Sequence, residues 1–119
     1  MYYPIYLLSL LPFGILYVLS DITYIIMYYV VRYRRDIVHY NLSTSFPEKT
    51  KEEIKSIEHK FYHWLCDYFV ETIKLLSISD KQLRRRFKLV GAEQIEKHFK
   101  SGQDCAALLG HYCNWEWLS

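Results

Sequence analysis

Apolar residues run almost unbroken from Tyr2 to Val31, and Asp21 is the one formal charge in that stretch. Residues 2–20 carry no charge, and a bilayer crossing needs about 20 apolar residues in a helix. Pro12-Phe13-Gly14 interrupts that stretch, because proline removes a backbone donor and clashes with the preceding turn. Ser20-Asp21 is placed to cap a second apolar segment, 22–31, which is too short to span alone. One kinked span, or a span followed by an interfacial helix, fits this pattern. A buried core helix of a soluble protein is the blander alternative. A cleavable signal peptide fits less well, since a basic leading region and a small-residue cleavage site are both missing. The pattern thus predicts a membrane anchor over residues 1–31.

Beyond Ser45-Phe46-Pro47 the period changes to that of a helix. Thr50-x-x-Glu53 reads as a capping box, in which each side chain satisfies a backbone donor of the other residue. Ile54, Ile57, Phe61, Trp64, Leu65, Tyr68, Thr72 and Leu76 then recur at helical intervals, predicting an amphipathic helix to about residue 77. Glu71 falls close to that stripe, as a buried, partnered carboxylate or as an edge position, the latter preferred. His59 and His63 share a face at i, i+4 with no third ligand evident, as expected of surface residues. Ser77 to Asp80 breaks the pattern. Phe87 to Val90 reads as a short strand and Ala92 to Lys100 as a short helix ending at Gly102. Asp104 to Leu109 is short and apolar, as a buried strand would be, with Gly110 as its exit. Neither an internal repeat nor a low-complexity linker is present.

Charge and cysteine content sharpen the picture. Residues 32–119 carry +3 against a net +2 for all 119 residues. Arg32, Arg34 and Arg35 come directly after the apolar segment, which by the positive-inside rule keeps the rest of the chain in the cytoplasm. Cys66, Cys105 and Cys113 are odd in number and irregularly spaced, which does not suggest a disulfide framework. A zinc site using Cys105, His111 and Cys113 lacks the fourth ligand and tight spacing of a structural site, so no metal is expected. Arg84, Arg85, Arg86 and Lys88 form a basic cluster suited to anionic headgroups or an acidic carrier protein, or else simply a solvated helix face. Nucleic acid is not expected, because no binding motif accompanies the charge.

The carboxyl end supplies candidate chemistry. His111 and Glu116 stand five positions apart in His-Tyr-Cys-Asn-Trp-Glu. On one continuous helix they would diverge by roughly 140°, so they meet only if His111 sits on a turn and Glu116 in the following helix. Asn114 is a favourable N-cap, and Glu116 in the first turn suits the helix dipole. A histidine held in one tautomer by a carboxylate can take a proton from a hydroxyl as that oxygen attacks an acyl carbon. Backbone N–H groups at the helix start can help stabilise the oxyanion. Taken alone, the same spacing also describes a polar loop histidine and an acid at a helix start.

Taken in order, Tyr33-Arg34-Arg35, Asn41-Leu42, Phe46-Pro47-Glu48, Phe61, Glu71, Gly91-x-Glu93, Gly102 and Gly110-His-Tyr-Cys-Asn-Trp-Glu116 cover nearly the whole chain. This set resembles the amino-terminal part of a bacterial lipid A biosynthesis acyltransferase of the lauroyl or myristoyl type, in the wider lysophospholipid acyltransferase superfamily. The resemblance implies a layered α/β fold, truncated here. This piece would be mostly helical, with a membrane helix at 1–31, an incomplete cytoplasmic acyltransferase domain at 32–119, and one or two short strands. It implies transfer of a fatty acyl group from acyl carrier protein to a hydroxyl of a lipid A precursor, at the cytoplasmic face of the inner membrane, without a cofactor. The His-x4-Asp/Glu motif maps onto His111 as general base and Glu116 as its orienting acid, with Asn114 and Trp115 in support. Cys113 replaces a glycine frequent in relatives, which bears on local backbone geometry. The resemblance further implies an amino-terminal fragment, inactive alone, since relatives run to about twice this length and bury correspondingly more surface. Two other readings stay open. One is a lysophospholipid or other glycolipid acceptor, and the other a non-catalytic membrane-anchored interaction module.

Overall fold

The computed structural model describes residues 3–88, 90–106, 108, 110 and 112–118. The chain divides into two compact units, residues 1–76 and 77–119.

The first unit is a helical assembly built around one long helix. Helix α1 (Tyr3–Ser9) is followed by α2 (Phe13–Ile25), which runs into a single π-helical stretch, Ile26–Val31. Helices α3 (Arg35–Ser45) and α4 (Lys51–Lys74) complete the unit. Pro12 ends the first apolar run as expected: its extended ψ of 148° lies outside the helix, while its carbonyl accepts from Ile15 and Leu16 N–H at 3.0 and 3.1 Å. The continuous apolar helix is therefore residues 13–31 rather than 2–20. At 19 residues it is long and apolar enough to cross a bilayer. Ser20 and Asp21 do not start a second segment; they lie inside α2, where Ser20 is fully buried. The chain reverses through Arg32 and Arg34, both left-handed at φ 54° and 52°, a region that L-residues occupy only at a cost.

Helix α4 begins where the capping box places it. Glu53 N–H donates to Thr50 Oγ1 at 3.3 Å, and Thr50 N–H donates to Glu53 Oε2 at 2.9 Å. Thr50→Ala should lower stability by about 1 kcal/mol, read as a lower denaturant midpoint with an unchanged slope. An unchanged midpoint would show that the cap is idle.

The buried row of α4 is Ile54, Glu58, Tyr62, Cys66, Val70 and Lys74. A strict four-residue step gains about 40° per step on a helix of 3.6 residues per turn, so this row winds around α4. It does so because its partners change along its length: α3, the π-helical stretch, α2 and α1 all pack on it. The amphipathic stripe read from periodicity shares only Ile54 with this row. Two charged residues, Glu58 and Lys74, occupy buried positions in it. Lys74 Nζ donates to the carbonyls of Ser9 and Leu11 at 2.8 and 3.0 Å, where the negative end of the α1 dipole favours a cation. Burial pushes the Cys66 thiol up, as suits a packing residue rather than a nucleophile.

The second unit contains α5 (Asp80–Arg86), α6 (Ala92–Lys100) and a 3-10 turn, Trp115–Leu118. Helix α6 lies where the sequence places it. Gly91 enters it at φ 85° and Gly102 leaves it at φ 72°, both left-handed. Among the described residues there is no strand, at 87–90 or at 104–109. Gln103 to Ala106 are exposed and Leu108 is 99% exposed. A strand satisfies its backbone only against a neighbour, and no described segment of this unit offers an edge to pair with. Trp117 is the one buried hydrophobic residue of the unit among those described. The helical part of the expected architecture is present, whereas the described residues contain no sheet layer.

Candidate active site

In the second unit Asn114, Trp115 and Glu116 lie together in one short turn. Tyr112 N–H donates to Gly110 O at 2.8 Å, and Cys113 takes a left-handed φ of 52°. This is the position at which the resemblance anticipated glycine, and the backbone has the conformation glycine favours. Asn114 precedes the 3-10 turn, and its carbonyl accepts from Trp117 N–H at 3.1 Å. Glu116 then falls in the first turn, half-buried, with its Oε2 shut away from solvent alongside Asn114 Oδ1 and Trp117 Nε1. The expected order of N-cap, then acid in the first turn, is thus present, with three residues per turn in place of 3.6. His111 lies outside the described residues.

Arg84, Arg85 and Arg86 occupy the last turn of α5, where the helix dipole favours cations, and all three are exposed together with Lys88. A shallow cleft of about 350 Å³ lined by Asp80, Leu83, Arg84 and Phe87 opens beside them. Charge and an apolar floor therefore stand side by side there.

Homology decides what this turn belongs to. The model of the bacterial lipid A biosynthesis acyltransferase family matches residues 3–118. The chain belongs to that family. No curated protein and no solved structure matches it. The lipid A acyltransferase family accounts for an acyltransferase function at the coarse level and for a lipid as the acceptor. It also explains why the ordered set from Tyr33 to Glu116 spans both units of the chain.

One polar cluster in the first unit escaped the sequence reading. Glu58, 2% exposed, accepts from Arg35 Nε at 3.2 Å through Oε1 and lies 3.1 Å from His39 Nδ1 through Oε2. The Arg35 guanidinium also stands 4.1 Å above the Tyr28 ring. Burial alone would push the Glu58 carboxyl up, but hydrogen bonds from His39 and Arg35 hold it below the usual carboxylate range. With Arg32, Asp36, Tyr40 and Ser43 these residues line an open cavity of about 540 Å³. Both Glu58 oxygens are engaged, so its role is to hold α3 against α4. The signal was present but faint: Glu58 sits four residues after Ile54 and four before Tyr62, a carboxylate in a buried register.

Proposed function

We propose that this lipid A acyltransferase-family chain carries the base of a transfer reaction that moves a fatty acyl group from acyl carrier protein to a hydroxyl of a lipid A precursor. His111 accepts the acceptor's hydroxyl proton, and Glu116 fixes the imidazole tautomer and stabilises the imidazolium. The new C–O bond forms as the acyl–carrier bond breaks, and the proton returns from His111 to the departing carrier. Asn114 and Trp115 support the turn. The observation that carries this reading is the family match over residues 3–118 together with Glu116 held, half-buried, directly after Asn114 and Trp115. The exposed cations Arg84, Arg85, Arg86 and Lys88 support docking of an acidic carrier. The exposed apolar helix of residues 13–31 supports work at the inner membrane, on its cytoplasmic face.

The deciding experiment supplies acyl carrier protein loaded with a fatty acid to the protein, with a lipid A precursor or a lysophospholipid as acceptor. Mass spectrometry should find one added acyl group on the lipid A precursor. Acylation of the lysophospholipid alone would refute the acceptor, and no product with either would refute the reaction.

A further inference from the structure

Helix α2 has two faces that its composition conceals. On one side Tyr17, Ser20 and Tyr24 follow at i, i+3 and i+7, and each is bonded to α4. The Tyr17 hydroxyl donates to Glu71 Oε1 at 2.7 Å, the Ser20 hydroxyl to Asp67 Oδ1 at 2.6 Å, and the Tyr24 hydroxyl meets His59 Nδ1 at 2.7 Å. Asp21, on the flank, pairs with His63 Nε2 at 2.9 Å, and His63 Nδ1 lies 3.4 Å from Asp67. On the opposite side Ile15, Val18, Ile22 and Ile25 are all exposed, and Ile26 and Val30, in the π-helical stretch that follows, are exposed too. At about 100° per residue the two sets occupy opposing arcs of one helix.

We infer that this apolar face lies flat on a lipid bilayer, at the headgroup–acyl boundary, with α4 on its water side, and that α2 does not cross the membrane. The inference rests on the membrane reading proposed above. The bonded partners run antiparallel, from Tyr17–Glu71 to Tyr24–His59, so a crossing α2 would take α4 with it. Lys60, His63, Asp67 and Glu71 would then enter the hydrocarbon. The Asp21–His63 pair, with side chains 58% and 50% exposed, would lie near mid-span and face lipid. A charged side chain there costs about 2.5–3.5 kcal/mol on insertion scales. Lying in plane removes every one of these penalties while burying the same isoleucines. Arg32 and Arg34, both exposed, come directly after the apolar face and carry no ion pair among the described residues. Such cations complement anionic headgroups, which commits the partner to a membrane surface rather than a second copy of the chain.

The test places single spin labels at positions 15, 22 and 30 of the full chain. The exposed Cys105 and Cys113 are replaced by serine, Cys66 stays buried, and the protein is bound to vesicles containing an anionic phospholipid. The three labels should report one shared shallow depth, about 5–10 Å into the lipid. Ile22→Glu should lower vesicle partitioning at least about tenfold, equivalent to about 1.4 kcal/mol. A depth that peaks at 22, with 15 and 30 near opposite leaflets, would overturn the flat orientation while leaving membrane binding intact. Label–label broadening that persists without lipid would assign the face to a second copy. No lipid contact at any position would instead remove the membrane reading itself.

Discussion

His111→Ala should cut the rate of acyl transfer by about 10²–10⁴-fold, the range a positioned general base contributes. The loss should appear in kcat, because the imidazole acts on a proton in transit rather than on binding of the resting acceptor. Glu116→Gln provides the sharper comparison. The amide keeps the size of the half-buried side chain in the 3-10 turn but loses the charge that opposes the imidazolium. It should fall by a comparable factor while leaving unfolding by denaturant nearly unchanged. In the histidine–aspartate pair of serine proteases, the corresponding amide leaves the wrong tautomer in place and costs about 10⁴ in kcat. An active His111→Ala enzyme would remove the proposed chemistry outright. A normal Glu116→Gln enzyme would leave His111 acting without its partner.

Glu58→Ala should clearly destabilise the first unit. It removes a 2% exposed carboxylate that holds Arg35 and His39 against α4. Breaking a fully buried ion pair costs about 3–5 kcal/mol. The Arg35 and His39 side chains are 31% and 53% exposed and regain water on release, so about 2–3 kcal/mol is expected here. Glu58→Gln preserves an acceptor and the shape, and should lose roughly half of that. The same group sets an acid limit. Its folded carboxyl lies below the ordinary value, so the unfolded chain takes up a proton first as the pH falls. Its contribution is complete above about pH 4.3, the ordinary value, and drains away as the pH falls through the lower folded value. Glu58→Gln should remove that part of the acid sensitivity. A denaturant midpoint equal to that of the parent across this range would contradict the assignment.

Much of the helical framework is legible from sequence because its signals are local. Pro12, the Thr50–Glu53 box and the Gly102 stop act within a few residues, and each appears where the pattern puts it. Helix α3 went unread because its charged start and mixed faces carry little periodicity. The buried row of α4 was misread for a different reason. A stripe is inferred as if one partner lay along one face, but the partners of α4 change along its length, so Glu58 and Lys74 are inside and Trp64 is 39% exposed. Glu71, read as an edge residue, is half-buried and receives the Tyr17 hydroxyl across 54 positions of sequence. His63, read as a surface residue, is exposed as expected yet pairs with Asp21. The turn at Asn114–Glu116 was readable from capping preference alone, whereas the sheet expected before it depends on pairing that no local signal supplies.

The distance along the chain between the α2 hydroxyls and their acceptors has a consequence for synthesis. Tyr17 and Ser20 wait for partners 54 and 47 residues later, and the carbonyl of Ser9 waits 65 residues for Lys74. At translation rates of about 5–20 residues per second, that is an interval of roughly 2–13 seconds. Throughout it, α2 emerges with its polar row bare and its apolar row complete. A nascent chain in that state presents the insertion machinery with an ordinary hydrophobic segment. Only the arrival of α4 from the ribosome gives the segment its second face, so the order of synthesis and the final orientation of α2 are in competition.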